Sequence, residues 1–184
     1  VVEDTSYTEE ELIVDFGEDV AMLVDGVTKL ASLKFESKEE RQAENLRKMF
    51  LAMSKDIRVL IIKLSDRLHN LRTINYMTHD KIIEKCRETL DIYAPLAARL
   101  GMYAIKMELE DIALKYLEPE DYAYISRRLE ETAAERDEFI AGFVAPIRER
   151  LDAQGIQYHI KGRTKSVYSI WRKMKRTGVS FDEV

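Results

Sequence analysis

Asp66 and Asn70 are the residues whose types and spacing first suggest chemistry. They lie four positions apart in KLSDRLHNLRT, and residues four apart share one face of an α-helix. A carboxylate beside a carboxamide offers oxygen ligands to a hard divalent metal ion and polar groups to an oxygen-rich substrate. The pattern is consistent with a metal-assisted site, although a buried hydrogen-bond network or an ordinary helix surface is the commoner origin of such a pattern.

Two other segments carry groups suited to chemistry. Glu3 and Asp4 form an acidic pair near the start of the sequence, where such pairs are usually only solvated. The segment GRTKSVYSIWRKM is locally basic, and guanidinium and ammonium groups near a helix N-terminus offset the charge of phosphates. A solvated basic helix is an equally good interpretation of that segment.

The helix that must position Asp66 and Asn70 is defined by its apolar residues. Their spacings of one, three and four predict one broad buried face made of Ile57, Leu60, Ile61, Leu64, Leu68 and Leu71. The two polar residues therefore belong to a polar strip beside the core.

The sequence up to Gly155 is predicted to be helical throughout. Seven glycines and three prolines are few for 184 residues, which is typical of a mainly helical protein. The first predicted helices run from about Glu9, after a cap at Thr5 or Thr8, to near Gly17, then through EDVAMLVDGVTKL to an end or bend at Gly26, and from Ser37 to Lys55. Later, the helix that follows Thr78 should kink or break at Pro95 and again at Gly101, and further divisions are expected at EPED and at Gly155.

The pattern changes after Gly155. Ile156, Tyr158 and Ile160 alternate with polar residues, which predicts a β-strand, and Gly162 ends the run before a short basic helix. The sequence thus predicts that a second, α/β domain begins here and that the chain is cut inside it.

Composition limits the class of protein. Hydrophobic residues make up 46%, so a substantial core is available, and no apolar run approaches the roughly 18 to 20 residues of a membrane span. The single cysteine, Cys86, excludes an internal disulfide and a cysteine-based zinc site. The formal net charge of −5 argues against a general nucleic-acid binder. We expect a soluble, cytoplasmic protein without membrane association or direct nucleic-acid binding.

Five segments occur in an order that is specific to one family: VVEDT, FGEDVAMLVDGVTKL, ERQAENLRKMFLAMSKDIRVLIIKLSDRLHNLRT, YAPLAARLGM and GRTKSVYSIWRKM. Through its whole length the chain resembles the RelA/SpoT homologue family, bifunctional enzymes that make and degrade the alarmones guanosine tetra- and pentaphosphate. The resemblance implies a mainly α fold, with 1–118 as the remainder of an HD-type hydrolase domain and 119–153 as a helical connector. Residues 154–184 would form the first strand and helix of an α/β, nucleotidyltransferase-like synthetase domain.

For the hydrolase, the resemblance assigns Asp66 to the family's D-x-x-x-N motif, as one of four ligands of a manganese ion (Mn²⁺). Asn70 matches the asparagine that contacts the nucleotide, and Thr73 lies one turn further along the same strip. Glu3 and Asp4 match the pair that helps to orient and deprotonate the attacking water.

The family's other metal ligands, an early histidine and a His-Asp pair, come before the position that matches Val1. One aspartate does not hold the ion alone, so we expect the isolated chain to be inactive as a hydrolase. His69 is not a metal ligand in the family, and we expect it to have a structural role.

For the synthetase, the resemblance implies transfer of pyrophosphate from ATP to the 3′-hydroxyl of GDP or GTP. The residues that match the family's nucleotide-binding pattern GRxKxxYSIxxKM are Arg163, Lys165, Ser169 and Lys173. Thr164 and Ser166 depart from the proline and histidine common there. The acidic ligands of Mg²⁺ would follow Val184, so synthesis by this chain alone is not expected.

The resemblance implies ATP and guanine nucleotides as ligands of the longer protein and leaves its association with ribosomes open. Two other classes fit parts of the sequence: a stand-alone helical regulatory module, and an HD-type phosphohydrolase acting on another nucleotide. The basic segment GRTKSVYSIWRKM argues against the second.

Overall fold

The structure is a computed structural model that describes residues 5–31, 56–162 and 164–184. The α-helices in these residues are α1 (Glu9–Phe16), α2 (Glu18–Ala31), α3 (Ile57–Arg72), α4 (His79–Glu88), α5 (Ala94–Arg99), α6 (Tyr103–Leu117), α7 (Pro119–Glu131), α8 (Ala133–Ala153) and α9 (Val167–Thr177). A π-helix spans Thr89–Tyr93, and 3₁₀ turns span Ile74–Tyr76 and Phe181–Glu183. The prediction of a mainly helical protein is confirmed.

The chain divides into two compact units, the first ending at Ala113 and the second running from Leu114 to Val184. The boundary falls inside α6. None of the helices in the described ranges combines the length and apolarity that a membrane crossing demands.

In the first unit, α1 begins and ends where the sequence predicts. Thr8, rather than Thr5, is the N-cap: its hydroxyl accepts a hydrogen bond from the backbone N–H of Glu11 at 3.2 Å. The Glu11 carboxylate accepts in return from the backbone N–H of Thr8 at 2.8 Å, which completes a capping box. Gly17 follows the helix at φ 85°, a conformation that side chains disfavour.

The predicted end or bend at Gly26 is wrong, because α2 continues to Ala31. Gly26 lies against Val59 of α3, and a Cβ at this glycine would meet Val59 Cγ2 at 2.7 Å. The glycine therefore permits a close approach of two helices. The helix predicted for Ser37 to Lys55 lies outside the described residues.

The apolar face of α3 is partly confirmed. Its buried hydrophobic residues are Val59, Leu60, Leu64, Leu68 and Leu71. Ile57 and Ile61, which we placed on the same face, are 48% and 41% exposed. The predicted buried face was too wide. The core contacts a narrower stripe of the helix, and these two isoleucines lie at the edge of that stripe.

The end predicted at Gly101 is confirmed, and near Pro95 the helix is not broken but passes through a π-helix. α4 runs into the π-helix and α5 restarts at Ala94, whose backbone N–H bonds the carbonyl of Thr89 five residues earlier. Pro95 has no backbone N–H and cannot donate the hydrogen bond of an α-helix. The π-helix comes just before it, so Pro95 lies in the first turn of α5, where no such bond is needed. Gly101 then adopts φ 72° between α5 and α6.

The second unit is built around the contact between α7 and α9. Ile125 of α7 and Ile170 of α9 are buried, at 1% and 5% exposure. The predicted division at EPED is confirmed by the start of α7 at Pro119, and α8 ends just before Gly155, which has φ 66°.

The strand predicted for Ile156 to Ile160 is not observed. Residues 156–162 are irregular, and the described part of the chain contains no β-strand. A strand exists only through hydrogen bonds to a neighbouring strand, and these residues have none to pair with. The basic helix predicted after Gly162 is present as α9.

Candidate functional site

The polar strip of α3 lies on the exposed side of a helix whose opposite side is in the core. Asp66 and Asn70 are both exposed, and Nδ2 of Asn70 donates to Oδ1 of Asp66 at 3.1 Å. Nζ of Lys63 donates to the other carboxylate oxygen, Oδ2, at 3.3 Å. Each oxygen of Asp66 thus has one donor on its own helix, which orients the carboxylate before any ligand binds.

Thr73 closes the strip as the C-cap of α3. Its hydroxyl donates to the backbone carbonyl of His69 at 3.1 Å, and the residue is exposed, so the hydroxyl oxygen can still accept a hydrogen bond. The side chain of His69 itself is exposed, so the histidine takes no part in the core.

A buried arginine fixes α3 directly beside Asp66. Arg67 is only 8% exposed, and its NH1 lies 2.9 Å from Oε2 of Glu88. Its guanidinium also stacks over the ring of Tyr93 at 4.0 Å from the centroid. Burial alone would lower the pKa of Arg67, but Tyr93 and Glu88 outweigh it and raise the pKa.

A second arginine holds the other end of the strip. Arg72 makes a two-pronged ion pair with Glu108 of α6, at 2.6 Å from Nε and 2.8 Å from NH2. The hydrogen bond from Arg72 lowers the pKa of Glu108. The sequence analysis missed both arginines. For Arg67, the sequence did offer a sign of burial, because it is a charged residue surrounded by leucines at helical spacing.

Cysteine chemistry is excluded at the one thiol of the chain. Cys86 is fully buried, and burial raises the pKa of its thiol to about 11. The thiol is therefore protonated near neutral pH and does not serve as a nucleophile or as a metal ligand.

Among the described residues of the strip, Asp66 has the chemistry of a metal ligand. The carboxylate of Asp66 is exposed and is a hard oxygen ligand of the kind that divalent ions prefer. Within residues 5–31, 56–162 and 164–184, no three His, Cys, Asp or Glu side chains are grouped so that they could hold an ion together. Glu3 and Asp4, the predicted catalytic pair, lie outside the described residues.

In the second unit, the predicted nucleotide-binding residues that are described lie in α9 or just before its N-cap. Lys165 and Lys173 both donate from Nζ to the backbone carbonyl of Val184, at 3.4 and 3.1 Å. Their shared partner is the last residue of the given sequence, and the contacts show only that the two ammonium groups lie near each other. Arg163, the fourth predicted residue, lies outside the described residues.

Ser166 has a structural role that explains its type. It is the N-cap of α9, and its Oγ accepts from the backbone N–H of Ser169 at 3.3 Å and donates to Ser169 Oγ at 2.9 Å. The departure from the family's histidine therefore supplies a helix cap.

Asp121 fastens α9 to α7. Its Oδ2 accepts from the indole Nε1 of Trp171 at 2.8 Å and lies 3.0 Å from Nζ of Lys175. The hydrogen bonds from Lys175 and then Trp171 lower the pKa of the Asp121 carboxyl. These contacts span fifty residues, and no local pattern in the sequence signals them.

Comparisons with known proteins identify a domain family for the first part of the chain and relatives that match its whole length. Residues 1–103 match the family model described as HD domain. A GTP pyrophosphokinase of Myxococcus xanthus is 47% identical over 186 residues, and one of Streptomyces coelicolor is 51% identical over 183. A guanosine-3′,5′-bis(diphosphate) 3′-pyrophosphohydrolase of Haemophilus influenzae is 44% identical over 184. Each comparison covers 100% of this chain but only 25%, 21% and 27% of the three relatives, so the chain spans about a quarter of their length.

Proposed function

Since this chain belongs to the RelA/SpoT homologue family, we propose that it is part of an enzyme that both degrades and makes guanosine tetra- and pentaphosphate. The first unit would contribute to removal of the 3′-pyrophosphate, and the second to transfer of pyrophosphate from ATP to GDP or GTP. Relatives named for each of these two reactions match the whole chain. The longer enzyme would bind ATP and guanine nucleotides. Association with ribosomes would be a property separate from these two reactions.

The observation that carries the hydrolase proposal is the hydrogen-bonded pair of Asp66 and Asn70 on the exposed face of α3. The HD-domain family implies a divalent metal ion, and we assign Asp66 as one of its ligands and Mn²⁺ as the ion. When bound, the ion supplies positive charge that offsets the leaving pyrophosphate and acidifies water. The Asn70 amide fixes the Asp66 carboxylate and presents its remaining N–H and its oxygen to the nucleotide.

The remaining residues of the hydrolase site have narrower roles. Thr73 presents its hydroxyl oxygen to the nucleotide at the end of the strip. Glu3 and Asp4 would hold the attacking water and accept its proton, since two neighbouring carboxylates share that task readily. We propose that the 184-residue chain alone does not turn over the nucleotide, because Asp66 without the other ligands that the family implies does not hold the ion.

In the second unit, Lys165 and Lys173 would bind the phosphates of ATP, because their ammonium groups lie near each other and offset the charge of phosphates. Arg163 would add a guanidinium at the same place, and Ser169 a hydroxyl at the N-terminus of α9. A Mg²⁺ ion is part of the proposed transfer, with ligands outside this chain. We retain the division into 1–118, 119–153 and 154–184, the last starting an α/β synthetase domain.

The test of the hydrolase proposal uses a chimaera in which this chain replaces the matching segment of the Haemophilus influenzae relative. Asp66→Asn should abolish manganese-dependent release of pyrophosphate from guanosine tetraphosphate, because a neutral amide is a poor ligand for a hard cation. Asp91→Asn removes the same charge from an exposed aspartate outside the strip and should leave the rate unchanged. Equal rates in the Asp66→Asn chimaera and the unsubstituted one would show that the α3 strip is only structural.

A further inference from the structure

Lys63 extends the polar strip of α3 by one turn toward the helix N-terminus. Lys63, Asp66, Asn70 and Thr73 follow one another at spacings of three, four and three, which keeps all four on one face of the helix. Lys63 lies outside the D-x-x-x-N motif, so the motif leaves its role open.

The ammonium group of Lys63 is held at the site. Its Nζ lies 3.3 Å from Oδ2 of Asp66, and the side chain is 16% exposed. Lys85 makes a pair of the same spacing with Glu88 at 3.2 Å, yet its side chain is 41% exposed. The aliphatic part of the Lys63 side chain is therefore packed against the protein, and its ammonium group lies at the carboxylate of Asp66 instead of extending into solvent.

A cation in this position gains a second partner when a nucleotide binds. An ammonium group has three donors, and the contact with Asp66 uses one of them. A diphosphate lying beside Asp66 supplies that second partner, with hydrogen bonds between charged groups.

We propose that Lys63 binds the 3′-diphosphate of the nucleotide at the hydrolase site and is a substrate-binding residue. This inference rests on the proposed function of the first unit, because that function brings a 3′-diphosphate to Asp66. The contact needs only rotation of a lysine side chain, since α3 is fixed by its buried face. The contact between Lys63 and the diphosphate does not require turnover, so a measurement of binding affinity tests it directly.

The experiment compares equilibrium binding of two nucleotides to the 184-residue chain in the presence of a chelator: guanosine 3′,5′-bis(diphosphate) and GDP. Lys63→Met should weaken binding of the bis(diphosphate) by about ten-fold to a hundred-fold, the range for one hydrogen bond between charged groups. Binding of GDP should not change, because GDP lacks the 3′-diphosphate. Lys85→Met is the matched control and should leave both affinities unchanged.

A cycle with Asp66→Asn separates direct contact from neutralisation of the carboxylate. If Lys63 touches the diphosphate, Lys63→Met still weakens binding in the Asp66→Asn background, where no carboxylate is left for the lysine to neutralise. Disappearance of the effect in that background would overturn the inference, because the lysine would then only screen Asp66. Circular dichroism checks that each variant is folded, and Lys63→Arg, which keeps the charge, should bind nearly as the original chain does.

Two outcomes distinguish failure of this inference from failure of the function on which it rests. If the unsubstituted chain binds the bis(diphosphate) no better than GDP, the proposed function of the first unit falls, and the role of Lys63 with it. If the chain prefers the bis(diphosphate) and Lys63→Met keeps that preference in full, only the role of Lys63 is overturned.

Discussion

The helices that carry the two proposed sites, α3 and α9, are held in place by different forces. Six residues of α3 are buried, and five of them are apolar. In α9 the buried residue is Ile170, and the helix is tied to α7 through the contacts of Asp121 with Trp171 and Lys175. One helix is positioned by its core and the other largely by polar contacts at the surface.

This difference determines what should disturb each site. Stabilisation by apolar burial depends little on salt, whereas exposed ion pairs are weakened by salt and by protonation of the carboxylate. The strip of Asp66 and Asn70 should therefore keep its geometry over a wide range of conditions. The lysines of α9 should depend more on ionic conditions, and the predictions below test that contrast from the largest expected effect to the smallest.

The largest effect is expected at Leu64, which is 0% exposed on the core side of α3. Leu64→Ala should lower the free energy of unfolding by about 2–5 kcal/mol, since truncation of a buried leucine leaves a cavity. Urea denaturation followed by circular dichroism measures the change. Ile61→Ala on the same helix, where the side chain is 41% exposed, should cost much less. Equal losses at the two positions would contradict the claim that the core holds α3.

The next effect concerns the lysines of α9, in a chimaera with the Myxococcus xanthus relative. Lys165→Ala or Lys173→Ala should slow alarmone synthesis from ATP and GDP by about ten-fold to a thousand-fold, the scale for one removed stabilising group. Lys115→Ala, at an exposed position of α6, is the control and should have no effect. Unchanged synthesis at subsaturating ATP in both variants would show that GRTKSVYSIWRKM is only a basic surface helix and does not bind the nucleotide.

A smaller effect is expected when the buried arginine of α3 is removed. Arg67→Met keeps the length of the side chain but loses the ion pair with Glu88 and the stacking on Tyr93. We expect a loss of about 1–3 kcal/mol in the free energy of unfolding, because a cation–π contact and a charged hydrogen bond disappear together.

The partner variant sharpens this test. Tyr93→Phe keeps the ring under the guanidinium and should retain most of the stability, whereas Tyr93→Leu should lose a measurable part of it. If Arg67→Met were neutral in urea denaturation, α3 would be positioned by its apolar residues alone.

Local chemistry made some elements of this fold predictable. The start of α1 follows from Thr8 with acidic residues after it, and the irregular helix turn before α5 follows from Pro95, which lacks a donor. Asp66 and Asn70 could be paired from the sequence because helix geometry places residues four apart together.

Other features depend on partners that are distant in sequence. Gly26 looked like a helix end, but its role is contact with Val59 on another helix. Arg67 finds Glu88 and Tyr93 more than twenty residues away, and alternation at Ile156 predicted a strand that has no neighbour to pair with in the described residues. Local patterns state what a segment prefers, and long-range contacts decide the outcome.

The smallest expected effect is a pH dependence of the contact between α7 and α9. Hydrogen bonds from Lys175 and Trp171 lower the pKa of Asp121, so the folded form binds its proton less readily than the unfolded chain does. A lowered folded pKa means that the contact stabilises the fold above the ordinary aspartate pKa of about 3.9 and is lost as pH falls through the folded value. Asp121 is partly exposed, so solvent screening keeps this contribution small.

Trp171 reports this titration directly, because it is the one tryptophan of the sequence and its indole donates to Asp121. Its fluorescence should change with a midpoint below pH 3.9, and added salt should move the midpoint upward by screening Lys175. Asp121→Asn should remove the transition. The carboxamide oxygen of the new side chain can still accept the hydrogen bond from the indole of Trp171. A midpoint at or above the ordinary aspartate value would mean that Lys175 and Trp171 do not hold the carboxylate, and that Ile170 alone positions α9 as the leucines position α3.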